Sequence, residues 1–255
     1  MTRIGVSLSV GYNDLEPQAL KIFDVVQLMG GIPLVVLCTH SVLDPEGTNK
    51  VMELCHKYPD KIFPAIADSG SFSAAYLLGM QVAVEKGADF VISMDSDGAH
   101  DVCEIPKFIH EFTRGHEVVL ASRVLPGGAN KYPLQRRVVS RVATILANIL
   151  LVPWSKRITD FSSGYEGLSR YVVQKLFKSY TPDTWISVVY GPYHLQNTEL
   201  RLALLNSGYT IKEVPITYGV NKNGKPLKVG YLVQALLGFF RMVRWVLDQK
   251  SNKKG

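Results

Sequence analysis

"VISMDSDGAHD", Val91 to Asp101, runs a string of strand-forming apolar residues straight into two carboxylates, Asp95 and Asp97. Ligands of open parallel sheets bind outside the carboxyl ends of the strands, so a buried strand that stops on paired acids marks such an end. Side chains two apart in an extended segment point the same way. Asp95 and Asp97 therefore share one target, and two like charges at one point repel unless a cation lies between them. Mg²⁺ or Mn²⁺ fits, because these ions bind through one or two carboxylates plus substrate phosphates. Taken alone, Asp-Ser-Asp-Gly is also ordinary turn chemistry. An EF-hand start is disfavoured, since His100 stands where the next oxygen ligand belongs and no Glu closes the loop.

The pattern on both sides extends this reading. "RIGVSLSV" (Arg3 to Val10), "IPLVVLC" (Ile32 to Cys38), "KIFPAIAD" (Lys61 to Asp68), "ADFVISM" (Ala88 to Met94) and "HEVVLASR" (His116 to Arg123) read as strands. Between them lie helical spacings. One stops at Gly30-Gly31, one runs from Glu46 to Lys57, one is opened by Ser71 or Ser73 and closed by Gly87, and one carries Pro106 in its first turn. Strands that are apolar throughout and alternate with helices predict a parallel sheet covered on both faces. After Arg123 come a long helix with a basic start (Pro133 to Pro153), a turn leading into a helix (Thr159 to Phe177), another helix (Tyr193 to Tyr209) and a strand (Thr210 to Tyr218).

The fold class expected is α/β: a Rossmann-like nucleotide-binding sheet, mostly parallel and flanked by helices. No linker rich in Pro, Gly or Ser divides the chain. One composite domain is expected over residues 1–228, with a nucleotide-binding half at 1–123 and an acceptor half at 124–228. Residues 229–255 form a basic helix and tail.

The 255 residues are 47% apolar and 20% charged, a globular composition that excludes a disordered chain. Cys38, Cys55 and Cys103 lack metal-type spacing and are odd in number, which suits a reduced, cytosolic setting. The first residues, "MTRIGVSLSVGYND", hold no long apolar stretch, so no secretory leader is expected. From Lys222 onward there are eight Lys or Arg and one acid, Asp248, while the body is nearly neutral. A basic end on a neutral body predicts contact with something anionic. Nothing points to nucleic acid.

Five blocks in order give a resemblance. "GADFVISMDSDGAHDVCEIPKFI" resembles the "MDADLSHxPExIP" segment of family 2 glycosyltransferases with the GT-A fold, in the dolichol-phosphate mannosyltransferase and polyprenyl-phosphate glycosyltransferase branch. "SGSFSAAYLLGMQVA" is similar to that family's "KGxxxAxxxGxxxA", "ASRVLPGG" to "xSRYVKGG", "DFSSGYEGLSRYVV" to "DxTSGFRxxxRxxL", and "NTELRLALLNSGYTIKEVPITYG" to "xxELxxRAxxxGxxIxEVPIxF". The resemblance covers nearly the whole chain. It implies an inverting, metal-dependent transfer of a hexose from a nucleotide sugar of the GDP-mannose or UDP-glucose type to a polyprenyl or dolichyl phosphate. The alternatives are a hydroxyl acceptor on a glycan, glycolipid or protein, and a nucleotide-sugar-binding protein without catalysis.

By that resemblance Asp95 and Asp97 hold the metal and, with Ser96 between them, the donor diphosphate. Arg123, and the pair Arg136 and Ser140 of "RRVVS", match positions for the acceptor phosphate, and arginine suits phosphate through its fork of donors. Asp160, Ser163 and Gly164 would line the sugar pocket. Glu199 matches a helix carboxylate and is the candidate base for a hydroxyl acceptor; its bland alternative is an exposed Glu paired with Arg201. Tyr12, Asn13 and Asp14 keep part of the family's "PTYNE". Asp68 is a candidate contact to base or ribose, and Lys222 and Lys225 stand in for the "RxxGxSK" diphosphate contacts.

"VGYLVQALLGFFRMVRWVL" (Val229 to Leu247) carries a narrow polar stripe of Gln234, Gly238, Arg241, Arg244 and Asp248 on an otherwise apolar wheel. Two arginines in about 19 residues disfavour a spanning helix. An interfacial helix, drawn to anionic headgroups on the cytoplasmic face of a membrane, is expected instead, with core packing as its alternative.

Overall fold

Seven strands line up in the main sheet of the computed structural model, which describes residues 1–10, 15–40, 44–68, 71–179, 185, 196–209, 211–219, 237–244 and 246. The first half supplies β1 (Arg3–Ser9), β2 (Ile32–His40), β3 (Ile62–Ala67), β4 (Phe90–Asp95) and β5 (Val118–Ser122). The second half adds β6 (Ala129–Asn130), β7 (Glu166–Ser169), β8 (Ile211–Pro215) and β9 (Thr217–Tyr218). The sheet order is β3-β2-β1-β4-β7-β5-β8, and β6 pairs separately with β9. Every pairing in the large sheet is parallel except those of β7, which runs antiparallel to both β4 and β5.

Neighbouring residues of β2 show why the sheet needs helices on both sides. Leu34, Val36 and Cys38 enter one core, while Val35 and Leu37 enter the other. Alternate side chains of a strand point to opposite faces, so an all-apolar strand must be covered twice. The helices α1 (Leu15–Leu28), α2 (Pro45–Lys57) and α4 (Ile105–Thr113) cover one face. The other is covered by α3 (Phe72–Glu85), α6 (Arg170–Ser179) and α7 (Gln196–Asn206), with Ala147 of α5 (Leu134–Leu150) joining them.

The expected helix signals are used. The Ser71 hydroxyl accepts from the Ala74 amide at 3.3 Å, and Lys86 and Gly87 close α3, Gly87 with φ of 91°. The second half corrects one expectation. The stretch read as a turn leading straight into a helix first makes β7, in the middle of the sheet. Gly167 is what lets it fit, because a Cβ there would lie 2.6 Å from the Phe112 ring and 2.8 Å from that of Phe108. The predicted strand from Thr210 to Tyr218 is likewise broken at Ile216 into β8 and β9.

The chain changes direction across the sheet between β1 and β4, the crevice where parallel sheets of this kind hold ligands. Ser9 pairs with Asp95 in register, and the Ser96 amide donates to the Ser9 carbonyl, so Asp95 and Asp97 stand at that crevice.

Helix α5 differs from the others. Only Thr144 and Ala147 are buried along its 17 residues. Val139, Val142, Ile145, Leu146, Ile149 and Leu150 are exposed, and Trp154 follows at 79% exposure. The C-terminal stretch behaves in the opposite way to the interfacial expectation over its described part. Residues 237–244 are helical, Met242 and Val246 are buried in the core, and Phe239 and Val243 pack against it. A spacing of four aligns Gly238, Met242 and Val246 on one buried line, although Gly238 was expected on the polar stripe. Leu237 and Phe240 remain exposed. Among the described residues no helix is long and apolar enough to cross a membrane.

Candidate active site

Two charged clusters stand at the carboxyl ends of β4 and β5. At β4, Asp95 closes the strand, and the Asp97 side chain accepts from the Ala99 amide at 2.9 Å. Gly98, between Asp97 and Ala99, takes φ of 82°. Burial, then the charge of Asp97 and that of Glu166, pushes the Asp95 carboxyl up to about 8. Its side chain still has 34% of its surface open, so solvent relieves part of the desolvation and leaves the repulsion from Asp97 standing.

His100 braces this turn from beneath. Its Nδ1 accepts from the Asp95 amide at 2.9 Å, and its Nε2 donates to the Ser163 carbonyl at 2.7 Å. Burial drives the imidazole down to about 3 against that carbonyl, so it is neutral with its proton on Nε2. Its ring lies between Tyr165 and Tyr218, at centroid distances of 4.8 and 4.9 Å.

At β5, Arg123 is folded onto Asp160. Its Nε donates to Oδ2 at 2.7 Å and its Nη2 to Oδ1 at 2.8 Å, and Nη2 also reaches Ser162 at 2.7 Å and Ser140 at 3.0 Å. Burial raises the Asp160 carboxyl, but the bonds and charge of Arg123 outweigh it and leave a value of about 2. The guanidinium also sits 5.2 Å from the Tyr218 ring centre. Beside this pair opens a cavity of about 560 Å³, whose wall includes Arg123, Ser140, Asp160, Arg137 and Arg141.

One buried guanidinium ties the two clusters together. Arg201 and Glu166 are both fully buried, with Arg201 Nε donating to Glu166 at 3.0 Å. Arg201 also donates to the Asp160 and Ala121 carbonyls and to the Ser163 hydroxyl at 2.6 Å. The second Glu166 oxygen accepts from the Tyr76 hydroxyl at 2.5 Å. Burial raises Glu166, opposed by the Arg201 charge, and raises Tyr76 well above its ordinary range, so the phenol keeps its proton. Asp160 holds Arg123, and Ser163 holds His100 under Asp95. The loop from Asp160 to Ser163 therefore fixes both clusters at once.

Several expected residues fall elsewhere. Asp68 is exposed beyond β3, at the sheet edge three places from β4, roughly 14 Å away at the usual strand spacing. Arg136 does not line the cavity; its guanidinium lies 5.0 Å over the Tyr132 ring. Glu199 is 3% exposed on α7, a helix buried on nearly every side, and Arg201 pairs with Glu166, so the surface Glu199–Arg201 pair does not form. Ser96 is buried, Ser140 and Asp160 meet at Arg123, and Gly164 takes φ of 71° with Asn197 against it. Tyr12, Asn13, Asp14, Lys222 and Lys225 lie outside the described residues. Sequence reasoning missed His100, Glu166, Arg201 and Tyr218; only His100, five residues after Asp95, carried a local signal.

Among the described residues no cluster of three or more metal-ligating side chains exists. Two hard carboxylates that repel each other are still a fitting donor set for a divalent cation completed by phosphate oxygens.

A parallel sheet interrupted by one antiparallel strand, with acids at its switch point, defines a nucleotide-sugar transferase fold of the GT-A type. Glucosyl-3-phosphoglycerate synthase of Mycobacterium tuberculosis, solved with Mn²⁺, UDP and phosphoglyceric acid, shares it with a TM-score of 0.54 at 18% identity, over 95% of this chain and 78% of that one. No family model matches the chain. Curated relatives carry the resemblance further. A polyprenol monophosphomannose synthase of Mycolicibacterium smegmatis is 26% identical over 95% of this chain and 86% of that protein. An undecaprenyl-phosphate mannosyltransferase of Micrococcus luteus is 30% identical over 68% of this chain and 66% of that protein. A dolichol-phosphate mannosyltransferase of Pyrococcus furiosus is 28% identical over 77% of this chain, which spans about half (51%) of that longer protein. The chain is a GT-A glycosyltransferase homologous to the polyprenyl-phosphate mannosyltransferases, as its five sequence blocks indicated.

Proposed function

We propose that this enzyme transfers a hexose from a nucleotide sugar to the phosphate of a polyprenyl lipid, with inversion at the anomeric carbon. An oxygen of the lipid phosphate bonds to the anomeric carbon as the bond to the nucleoside diphosphate breaks. A phosphate acceptor arrives anionic and needs no general base, unlike a hydroxyl. The observation that carries the reading is the pairing of an open carboxylate pair at β4 with an arginine-lined cavity at β5. The mannosyltransferase relatives support the same donor and acceptor classes.

In this reading Asp95 and Asp97 hold Mg²⁺ or Mn²⁺, which when bound offsets charge on the departing diphosphate. The Mn²⁺ in the M. tuberculosis structure supports a divalent ion at a fold of this kind. Residues 1–123 serve the donor, with Tyr12, Asn13, Asp14, Ser96, Asp68, Lys222 and Lys225 as its contacts. Residues 124–228 serve the acceptor, where Arg123, Ser140, Asp160, Ser163 and Gly164 surround the phosphate and sugar, and Arg136 flanks them on Tyr132. Contact with a membrane surface is peripheral, through the exposed apolar residues of α5 and through Leu237 and Phe240 of the C-terminal helix.

The test is nucleotide release from a panel of GDP- and UDP-sugars with Mn²⁺ or Mg²⁺, with and without polyprenyl phosphate. Release that requires the lipid is expected. Equal release without it, or none with any donor, overturns the reading.

A further inference from the structure

The acceptor cavity has a charge balance that the Arg123 cluster does not explain. Arg123 spends its fork on Asp160 at 2.7 and 2.8 Å, so the two charges cancel within the wall. Arg137 and Arg141 line the same cavity, and among the described residues no carboxylate pairs with either. They stand four apart on α5, one turn, and so present side by side. Arg136 falls on the other flank of the buried line through Ser140 and Thr144, and its guanidinium rests over Tyr132. The side chains facing the cavity thus carry about two unmatched positive charges. A phosphate monoester carries −1.5 to −2 at neutral pH, a phosphodiester about one and an alcohol none. Val124, Leu134 and Val138 supply an apolar wall beside the arginines, suited to the first carbons of a lipid.

Resting on the lipid-phosphate reading above, we infer that Arg137 and Arg141 are the charge-selecting residues of the acceptor site. They recognise the doubly charged phosphate monoester and discriminate against singly charged and neutral lipids.

The experiment is calorimetric titration of the full chain, without vesicles, using farnesyl phosphate, its methyl diester and farnesol. The parent protein binds the monoester at least ten-fold more tightly than the diester. Arg137→Gln and Arg141→Gln each weaken monoester binding by about ten-fold, the scale of one charge-assisted hydrogen bond, and the double variant no longer separates monoester from diester. Both side chains are exposed and glutamine matches arginine closely in helix propensity, so unchanged circular-dichroism melts accompany the loss. Lys178→Gln, an exposed cation on α6, leaves binding as in the parent. A double variant that binds farnesyl phosphate like the parent overturns the inference alone. A parent that binds no farnesyl phosphate overturns the lipid-phosphate reading and the inference with it. An effect of the two substitutions that appears only on anionic vesicles assigns these arginines to membrane headgroups and also overturns the inference.

Discussion

The ends of β4 and β5 treat the same residue type in opposite ways. At β4, Asp95 faces Asp97 without a cation and rises to about 8. At β5, Asp160 is locked onto Arg123 and falls to about 2. One end stores repulsion, and the other has already been neutralised by the protein. A site that stores repulsion waits for a cation to relieve it, whereas a closed pair fixes geometry before any ligand arrives. The chain thus leaves its metal end electrostatically open and builds its acceptor end rigid.

Asp97→Ala breaks this contrast most severely. It removes one of the two carboxylates, and nucleotide release with Mn²⁺ is expected to fall by a factor on the order of 10³. Stability without metal does not fall, because the lost side chain was a source of repulsion. A thermal melt read beside the turnover assay separates the two effects, and turnover within ten-fold of the parent would show that the metal is held elsewhere.

Arg201 underlies both ends, so its loss disturbs the open and the closed cluster together. Arg201→Met leaves Glu166 charged and buried and is expected to cost about 3–5 kcal/mol in urea unfolding. Combining it with Glu166→Leu removes the orphaned charge and restores most of that stability. Recovery of turnover is not expected in the double variant, because the carbonyls of Asp160 and Ala121 and the Ser163 hydroxyl still lack their donor. A double variant with full activity would mean that packing alone sets the Asp160–Ser163 loop.

Much of this architecture was legible because local patterns and tertiary needs agreed. The apolar strands before Arg123, the Ser71 cap, Gly87 and the Asp-Ser-Asp tip each follow from near neighbours in the chain. β7 was hidden because four residues that include Gly167 and Glu166 carry no period-two signal; its place is set by Phe108 and Phe112 against the glycine. Glu166 and Arg201 lie 35 residues apart, and each alone reads as a surface charge. The basic start of α5 was visible, but which of Arg136, Arg137 and Arg141 meets the cavity depends on which side of α5 the sheet covers, and three adjacent turns of sequence do not encode that. The C-terminal amphipathic pattern was read correctly as a helix over residues 237–244, yet its apolar arc was large enough to serve core and surface at once, and Met242 and Val246 went to the core.

The smallest expected effect is the most direct comparison of the two acids, since pH titrates them in separate windows. Asp160 has a folded value of about 2 against an unfolded value near 3.9, so its stabilisation is present above about pH 4 and is lost as pH falls toward 2. That loss amounts to about 2 kcal/mol. Asp95 has the reverse sign. Its folded value of about 8 lies above the unfolded one, so metal-free protein binds the extra proton below that value and loses stability as pH rises from about 4 to 8. Mn²⁺ needs the deprotonated carboxylate, so its binding releases a proton and strengthens with pH. Melting curves with and without Mn²⁺ should therefore separate more at pH 8.5 than at pH 6, and the metal-free optimum should lie on the acid side. Asp95→Asn should flatten the alkaline slope and leave the acid limb unchanged. A metal-free curve that rises steadily between pH 4 and 8 would mean that the β4 carboxylates are already neutralised by the protein, and the contrast between the two strand ends would vanish.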